Sequence, residues 1–308
     1  MTISDIKVQK AEYFSGEFRA TASTEGKAGN GNRFLRFGLR DPTGNLRAHG
    51  WPGEYIGPKE IIKNVKLAVE GRLDWYDGIR IAKIMRAKII DSPEDNPLMR
   101  TPIESCPIND GVFRLYTLLE DIKIRPLRKF ALSVFRNEHI RTPFLLNPAS
   151  RKNHHSIPGG LLIHSIECAE SVRSQPGFDK KMLDIGTVAA LFHDIGKIRT
   201  LREDGRTTRE GLLLEHDFLV FEILAPYLHE LDSVNPNIGN ALRYIWWWHL
   251  HGAHRQNPKS TIAEAVRAAD RISSGLFSEQ LAFKDAPKWA SIANLDNRHY
   301  WRTPPEIH

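Results

Sequence analysis

The apolar residues of this 308-residue chain follow one period up to about residue 92 and another after about residue 110. In the first region apolar and polar residues alternate, which is typical of half-buried β-strands. In the second region apolar residues recur every three or four positions, which is typical of amphipathic helices. Because the length also exceeds what one hydrophobic core usually fills, we expect two domains, all-β and then all-α.

The first region predicts about five antiparallel strands, with the opening strand near residues 6–22. Alternation is clearest in RFLRFGLR (33–40), and turn residues such as Asp, Asn, Gly and Pro separate the strands. A short helix is predicted around 57–63, between the third and fourth strands. This pattern predicts an OB-fold barrel over residues 1–92, a fold whose sheet face commonly binds single strands or sugars.

One face of the predicted barrel combines aromatic and cationic side chains. Residues 1–100 contain 17 Lys and Arg against 13 Asp and Glu, so they carry +4 of the chain's net charge of +6. Aromatic rings interleaved with cations suit base stacking and phosphate contact, whereas an ordinary solvated barrel face is the alternative. The residues predicted to bind nucleic acid are Phe34, Arg36, Arg40, Arg47 and Trp51.

The second region predicts an all-α bundle over residues 111–284, between a linker over 93–110 and a tail over 285–308. Four prolines in the linker favour an irregular connection. The bulky aromatic residues of the tail make a homo-oligomer possible. Helices are predicted over 111–122, 125–140, 160–174, 181–197, 211–229, 237–250, 260–276 and 278–284.

The strongest local signal is AALFHDIGK (189–197), where an apolar helix ends at His193 and Asp194. Adjacent His and Asp side chains at a helix end can both turn toward one metal ion, with His164 and Asp270 as the further candidates. Two imidazoles and two carboxylates suit Mn²⁺, Fe²⁺, Zn²⁺ or Mg²⁺ better than a soft metal. The alternative for each is a surface or hydrogen-bonded core side chain.

Three more histidines extend this set of candidate ligands toward a binuclear site. His216 lies on the apolar side of a predicted helix, and His249 and His251 follow three tryptophans. His249 and His251 cannot both face the same way on a regular helix, so His249 is favoured as a ligand and the choice stays open. Asp194 would bridge two ions, and two-metal sites stabilise the attacking and leaving oxygens of phosphoryl transfer.

Cysteine content and hydropathy exclude several protein classes. The two cysteines, Cys106 and Cys168, cannot form a disulfide framework in a chain of this size. No apolar run is long enough for a transmembrane helix, and the first ten residues lack a signal-peptide core. We therefore expect a cytoplasmic protein without a membrane partner, with Cys168 buried among apolar residues.

The ordered candidate ligands on an all-helical region resemble the HD-domain phosphohydrolase superfamily, and the additional histidines resemble its binuclear branch. The stretch PASRKNHHSIPGGLLIH (148–164) and the hairpin GNGNRFLRFGLRDPTGNLRAHGW (29–51) resemble the YhaM-type 3′-to-5′ exoribonucleases, in which an OB barrel precedes an HD domain. This resemblance covers about residues 5–277. The HD region is also similar to MobH-type conjugative relaxases.

The resemblance implies a metal-dependent 3′-to-5′ exonuclease on single-stranded nucleic acid, with RNA favoured and DNA possible. It implies one or two divalent ions, with Mn²⁺ favoured, that activate water while the barrel captures the strand. The alternatives are an HD-type nucleotide or cyclic-nucleotide phosphohydrolase and a conjugation or DNA-processing accessory protein. The family has two adjacent histidines where this chain has His249-Leu250-His251.

Three side chains and one helix start complete the predicted site. Lys197 would contact a phosphate oxygen, unless it only interacts with the helix dipole. His154 and His155 would contact the scissile phosphate or the leaving group, unless they only shape the loop. The helix start at Gly159-Gly160 would offer backbone N–H groups to an anion.

Overall fold

The structure, a computed structural model, describes residues 1–8, 12–76, 78–92, 94–101, 106–108, 110–151, 155–251 and 257–303. The chain divides into two compact units, residues 1–103 and 104–308. Within the described ranges, no helix has both the length and the apolar character needed to cross a membrane.

The N-terminal unit is a six-stranded sheet that closes on itself, because the first strand pairs with both the third and the fifth. The sheet order is β1-β5-β6-β4-β3-β2, and only the β4–β6 pairing is parallel among those described. The elements are α1 (Ile3–Val8), β1 (Tyr13–Ala20), β2 (Thr24–Lys27), β3 (Arg33–Asp41), β4 (Gly44–Gly50), β5 (Lys66–Tyr76) and β6 (Ile79–Asp91).

Strand alternation places the barrel core as predicted. Phe37 and Leu39 of β3 and Leu46 of β4 are buried in one apolar cluster, and Leu35 packs against it. The register pairs Leu39 with Leu46 and Arg40 with Asn45, so the arginines of this hairpin lie on the opposite, outward face. The predicted OB-like barrel is confirmed.

The start of the barrel differs from the prediction of a strand near residues 6–22. Residues Ile3–Val8 form a helix, because Thr2 and Asp5 cap it reciprocally: Asp5 Oδ2 accepts from Thr2 N at 2.8 Å and Thr2 Oγ1 accepts from Asp5 N at 3.0 Å. Ile3 and Ile6, one helical turn apart, are both fully buried against the barrel. Two apolar residues three positions apart fit this helix better than an alternating strand.

Two further details of the barrel prediction are wrong. Residues 57–63 form no helix, because Ile61 extends along Ser23 instead and exchanges two hydrogen bonds with it, at 2.9 and 2.8 Å. The short polar strand β2 was absent from the predicted set and pairs with β3.

The C-terminal unit is helical as predicted, but several helix bounds differ from the prediction. The helix predicted over 181–197 ends at Phe192, and the one predicted over 211–229 begins at His216 and extends to Val234. The helix predicted over 125–140 is two helices, because the Asn137 side chain accepts a hydrogen bond from His139 N and caps the second one. The helices predicted over 260–276 and 278–284 form one continuous helix. The tail contains a hairpin that was not predicted. The elements are α2 (Gly111–Asp121), α3 (Arg125–Arg136), α4 (Glu138–Leu146), α5 (Gly160–Arg173), α6 (Lys180–Phe192), α7 (Lys197–Thr200), α8 (His216–Val234), α9 (Pro236–His251), α10 (Thr261–Ala282), β7 (Ile292–Leu295) and β8 (Arg298–Trp301).

Helices α5, α6 and α10 pack against one another at the centre of this unit. Gly186 of α6 lies directly against Val172 of α5, where a larger residue would force the helices apart. Trp246 and Trp248 of α9 are buried, and Trp246 donates its indole N–H to the Ala189 carbonyl of α6. Helices α5 and α10 and the turn after α6 carry four of the candidate ligands, His164, His193, Asp194 and Asp270.

Candidate metal centre

Three helices bring the four main candidate ligands together. His164 lies in the second turn of α5, His193 and Asp194 directly follow α6, and Asp270 lies near the middle of α10. His164 Nε2 is 3.4 Å from Asp194 Oδ2 and 3.2 Å from Asp270 Oδ1. His193 Nε2 is 3.5 Å from the same Asp194 oxygen and 3.8 Å from the same Asp270 oxygen.

The ring of His193 is oriented as a metal ligand would be. Its Nδ1 contacts the Ala190 carbonyl at 2.7 Å, so Nδ1 carries the hydrogen and Nε2 is left as the lone-pair nitrogen in the neutral ring. That Nε2 is buried and has no hydrogen-bond partner among the described residues. A divalent cation between the imidazoles and the carboxylates would be contacted by this nitrogen and by the carboxylate oxygens that lie 3.5 and 3.8 Å from it, so the residues fit a divalent metal ion.

The charges of the four residues depend on one another. Burial lowers the pKa of His164 and His193, but Asp194 and Asp270 outweigh it and raise the values to about 10 and about 9. Burial raises the pKa of both carboxyls, but the neighbouring cations, Lys197 first for Asp194 and His164 first for Asp270, hold both well below their usual range. The cluster therefore keeps both carboxylates ionised and attracts positive charge.

Asp194 divides its two oxygens between two groups of residues. Oδ2 faces His164, His193 and the Lys197 ammonium, and Lys197 Nζ lies 2.5 Å away. Oδ1 faces His216, whose Nε2 is 3.1 Å away. Asp194 therefore contacts the two groups through different oxygens. Lys197 lies in the one-turn helix α7, where its ammonium group contacts the Asp194 carboxylate.

Of the two candidate histidines in α9, only His249 faces the centre. His249 Nε2 lies 3.6 Å from Asp270 Oδ2, and its ring lies 5.1 Å from the ring of His193. His251 is exposed, stacks on Trp247 and contacts the Trp247 carbonyl through Nδ1. The helical turn therefore separates the two rings, as expected for positions two residues apart.

The loop before α5 places His155 beside Ser273, which contacts His164 on the side away from the carboxylates. His155 is buried, and its Nε2 lies 3.1 Å from Ser273 Oγ and 3.3 Å from Glu167 Oε2. His154 lies outside the described residues. The backbone N–H groups at Gly159 and Gly160 already donate to carbonyls at 2.7 and 2.9 Å, so the predicted anion contact there is wrong.

Three residues beside the centre were not predicted from the sequence as part of it. Cys168 is buried as predicted, but its Sγ lies 3.9 Å from both ring nitrogens of His164 and belongs to a possible ligand group with His193 and Asp270. Glu167 and Ser273 contact one another at 2.6 Å. The position of Cys168 could have been predicted from helical spacing, because it follows His164 by four residues and so lies on the same face of the helix.

The outward face of the barrel hairpin carries the predicted nucleic-acid-binding residues together. Arg36 and Arg47 are exposed beside a groove of about 400 Å³, and Arg40 is held by Asn45 Oδ1 at 2.9 Å. Phe34 is only 6% exposed, because Trp51 stacks on it with ring centroids 4.2 Å apart. Trp51 is therefore the accessible ring and Phe34 supports it.

Two more rings, His49 and Tyr76, complete the aromatic cluster around Phe34 and were not predicted. His49 lies 4.7 Å from Phe34 and 5.3 Å from Tyr76. Burial, reinforced by the positive charge of Arg47, lowers the pKa of His49 to about 4. His49 is therefore neutral at physiological pH and adds an uncharged ring to the cluster.

We expect Gly196→Ala to damage the centre by overpacking. A Cβ at Gly196 would lie 1.9 Å from the His216 carbonyl oxygen, so α8 must shift and carry His216 away from Asp194. Overpacking of this kind costs about 1–3 kcal/mol. Chemical denaturation measures the decrease in stability, and Gly275→Ala is the control because no atom lies within 4 Å of its Cβ position. Equal stability of the two variants would contradict the close approach.

The class of the C-terminal unit follows from its helices and ligands. Residues 161–275 match the family model of the HD domain, and this range contains all six candidate ligands. The chain is therefore an enzyme of the hydrolase class, in which a helical HD domain follows an OB-like barrel along the sequence. A metal requirement agrees with the donor set described above.

The chain is similar over most of its length to one particular kind of HD protein. It is 27% identical over 302 residues to the 3′-5′ exoribonuclease YhaM of Oceanobacillus iheyensis, which covers 89% of this chain and 92% of the relative. The predicted resemblance to YhaM-type proteins is confirmed.

The similarity to solved structures is weak. Two structures of asparaginyl-tRNA synthetase from Pyrococcus horikoshii match, one of them in complex with asparaginyl-adenylate. The complex is 13% identical, with 50% of this chain and 37% of that chain covered. The other is 11% identical, with 86% and 70% covered. Both TM-scores are 0.24.

Proposed function

We propose that this protein is a metal-dependent 3′-to-5′ exonuclease of single-stranded nucleic acid, with RNA as the favoured substrate. The HD unit would hydrolyse the phosphodiester bond, and the barrel unit would capture the strand. The similarity to a YhaM exoribonuclease supports the RNA preference and the direction.

The observation that carries this proposal is the buried cluster of His164, His193, Asp194 and Asp270. Its facing nitrogen and oxygen atoms lie 3.2 to 3.8 Å apart. These residues would hold a first divalent ion, and Mn²⁺ is the favoured species. When bound, such an ion supplies Lewis-acid activation of water and offsets charge on the phosphoryl group.

Three other residues would complete the reaction site. His216 and His249 face the outer oxygens of Asp194 and Asp270, which suits them to a second ion. Lys197 contacts Asp194 and would turn toward a phosphate oxygen once a cation takes over that carboxylate. His155 is buried behind His164 and acts in our proposal through that residue, not on the phosphate.

The barrel favours a polynucleotide over a mononucleotide substrate. Trp51 offers a ring for base stacking beside a groove of about 600 Å³, and Arg36, Arg40 and Arg47 follow the same outward face. A nucleotide phosphohydrolase of the HD class has no need for such a surface. Base stacking contributes about 1–3 kcal/mol per base, and arginines contact the backbone.

A digest of labelled oligonucleotides in Mn²⁺ tests the proposal. The full chain is incubated with RNA and DNA of one sequence, labelled at either the 5′ or the 3′ end. We expect 5′-labelled RNA to shorten in single-nucleotide steps and 3′-labelled RNA to release labelled mononucleotide at once. Hydrolysis of mononucleotides or cyclic dinucleotides without shortening of either oligonucleotide would instead support the nucleotidase alternative.

We expect Arg36→Ala and Arg47→Ala to weaken RNA binding in a salt-dependent manner. Removing one arginine–phosphate interaction should reduce the slope of log K against log salt by about 0.7 for a single strand. Fluorescence anisotropy with a labelled RNA at several salt concentrations measures the slope. Arg86→Ala is the matched control, since Arg86 is an exposed arginine of β6 that pairs with Glu70. An equal change in all three variants would show that the hairpin is not the binding face.

A further inference from the structure

A buried hydroxyl on α10 connects three side chains behind the candidate ligand His164. Ser273 Oγ lies 2.6 Å from Glu167 Oε2, 3.0 Å from His164 Nδ1 and 3.1 Å from His155 Nε2. Ser273, His155 and His164 are all at most 4% exposed. The hydroxyl contacts the Nδ1 edge of the His164 ring, whereas the Nε2 edge faces the carboxylates of the metal centre.

The hydrogen-bonding capacity of one hydroxyl determines where the protons lie. A serine hydroxyl has one hydrogen to donate and two lone pairs that accept. Glu167 is a carboxylate beside two imidazoles, so the Ser273 hydrogen goes to Glu167. The oxygen must then accept from both histidines, which places a hydrogen on His164 Nδ1 and on His155 Nε2. His164 Nε2 is consequently the nitrogen left for a cation.

Helical spacing explains why these residues meet. Glu167 follows His164 by three residues on α5, and Ser273 follows Asp270 by three residues on α10. Positions three apart lie on the same face of a helix, so each helix presents one ligand and one supporting residue on adjacent turns.

His155 reaches the group from its loop in a left-handed backbone conformation, with φ of 50°. Its carbonyl accepts from Ala149 N at 3.0 Å and lies so close to Gly160 that a Cβ there would be 1.9 Å away. The ring also packs against Phe277 at 4.5 Å. Contacts with Ala149, with Gly160 of α5 and with Phe277 of α10 therefore hold His155 in place.

We propose that Glu167, Ser273 and His155 form a positioning network that fixes the His164 ring with Nε2 directed at the metal. The network rests on the proposed metal-dependent function, because it acts only through a metal ligand. Residues of this kind orient a ligating imidazole and raise its basicity, and their removal typically weakens metal affinity 10–100-fold.

Metal binding without nucleic acid tests the network. We measure the Kd for Mn²⁺ of the full chain at one pH by the electron paramagnetic resonance signal of free Mn²⁺. Ser273→Ala should weaken binding roughly 10–100-fold, and Glu167→Gln by about tenfold. Ser273→Thr keeps the hydroxyl and should restore affinity to within about threefold of the wild type. Thermal unfolding of each variant confirms that the measurement is made on folded protein.

Two matched controls separate the network from general effects on the helices. Glu170→Gln removes the same charge from the same helix, where Glu170 pairs with Arg114 on the exposed side. Ser278→Ala removes a hydroxyl of α10 that bonds only to a helix carbonyl in the described structure. Both controls should bind Mn²⁺ like the wild type.

A nuclear magnetic resonance spectrum of the ¹⁵N-histidine-labelled protein bound to diamagnetic Zn²⁺ shows directly which ring nitrogen carries hydrogen and which binds the metal. We expect His164, assigned by the disappearance of its signal in His164→Gln, to carry hydrogen on Nδ1 and metal on Nε2. Metal on Nδ1, or unchanged Mn²⁺ affinity in Ser273→Ala, would overturn the network alone. A wild type that binds no Mn²⁺ would overturn the metal site itself, and one that binds Mn²⁺ but leaves RNA intact would overturn only the proposed function.

Discussion

Asp194→Ala and Asp194→Asn are expected to reduce the hydrolysis of 5′-labelled RNA in Mn²⁺ by roughly a thousandfold or more. Asp194 is 4% exposed and is the one carboxylate that contacts His164, His193 and His216 together in the described structure. In the proposed arrangement either substitution removes a carboxylate shared by the sites of both ions. Metal ions contribute several kcal/mol to transition-state stabilisation, and each 1.4 kcal/mol is about tenfold in rate.

The two substitutions distinguish chemistry from folding. Asp194→Asn keeps the shape of the side chain, whereas Asp194→Ala also leaves the buried Lys197 ammonium without its 2.5 Å partner. We therefore expect Asp194→Ala to be the less stable variant and both to be similarly inactive. Single-turnover rates and circular dichroism measure the two properties.

Asp204→Ala is the matched control for this prediction, since Asp204 is an exposed aspartate that pairs with Arg206. It removes the same charge from the same unit without touching the cluster, so it should keep wild-type activity. Activity of Asp194→Asn within tenfold of the wild type would show that the reaction does not occur at this cluster.

Local patterns were sufficient to predict most of the fold. The alternation in RFLRFGLR places Phe37 and Leu39 in the core and the arginines outside because strand geometry has a period of two. The helix Ile3–Val8 was missed because a six-residue segment contains too few turns for a helical period to stand out. The signals for it were the Thr2–Asp5 cap and the three-residue spacing of Ile3 and Ile6.

The sequence predicted the candidate ligands of the metal centre but not the residues that support them. His193-Asp194 is a short-range signal at a helix end, and both residues lie beside His164 and Asp270 in the structure. Ser273 and Glu167 are 106 positions apart, and their contact depends on how α5 and α10 pack. Polar residues on amphipathic helices usually face water. No feature of the sequence near Glu167 or Ser273 indicates that these two side chains face a buried ligand instead.

The last expectation concerns pH, because protons and metal ions compete for the same atoms. Without metal, the pKa of His164 is raised to about 10 and that of His193 to about 9, and a ligating imidazole must be neutral. Binding an ion near pH 7 therefore releases a proton from each ring. The Kd for Mn²⁺ should fall by roughly tenfold to a hundredfold for each pH unit between 6.5 and 8.5. Calorimetry in buffers of different ionisation enthalpy should show about two protons released per ion.

The stability of the metal-free protein should change with pH in the opposite direction. Both histidines have folded-state pKa values above the ordinary 6.5, so their contribution to stability is complete below pH 6.5 and disappears as pH rises toward 9 to 10. The melting temperature without metal should thus decrease from pH 7 to pH 9, and saturating Mn²⁺ should reverse the trend. A Kd for Mn²⁺ that stays constant between pH 6.5 and 8.5 would contradict this expectation. It would mean that both imidazole rings are already neutral, although the buried carboxylates beside them favour the protonated form.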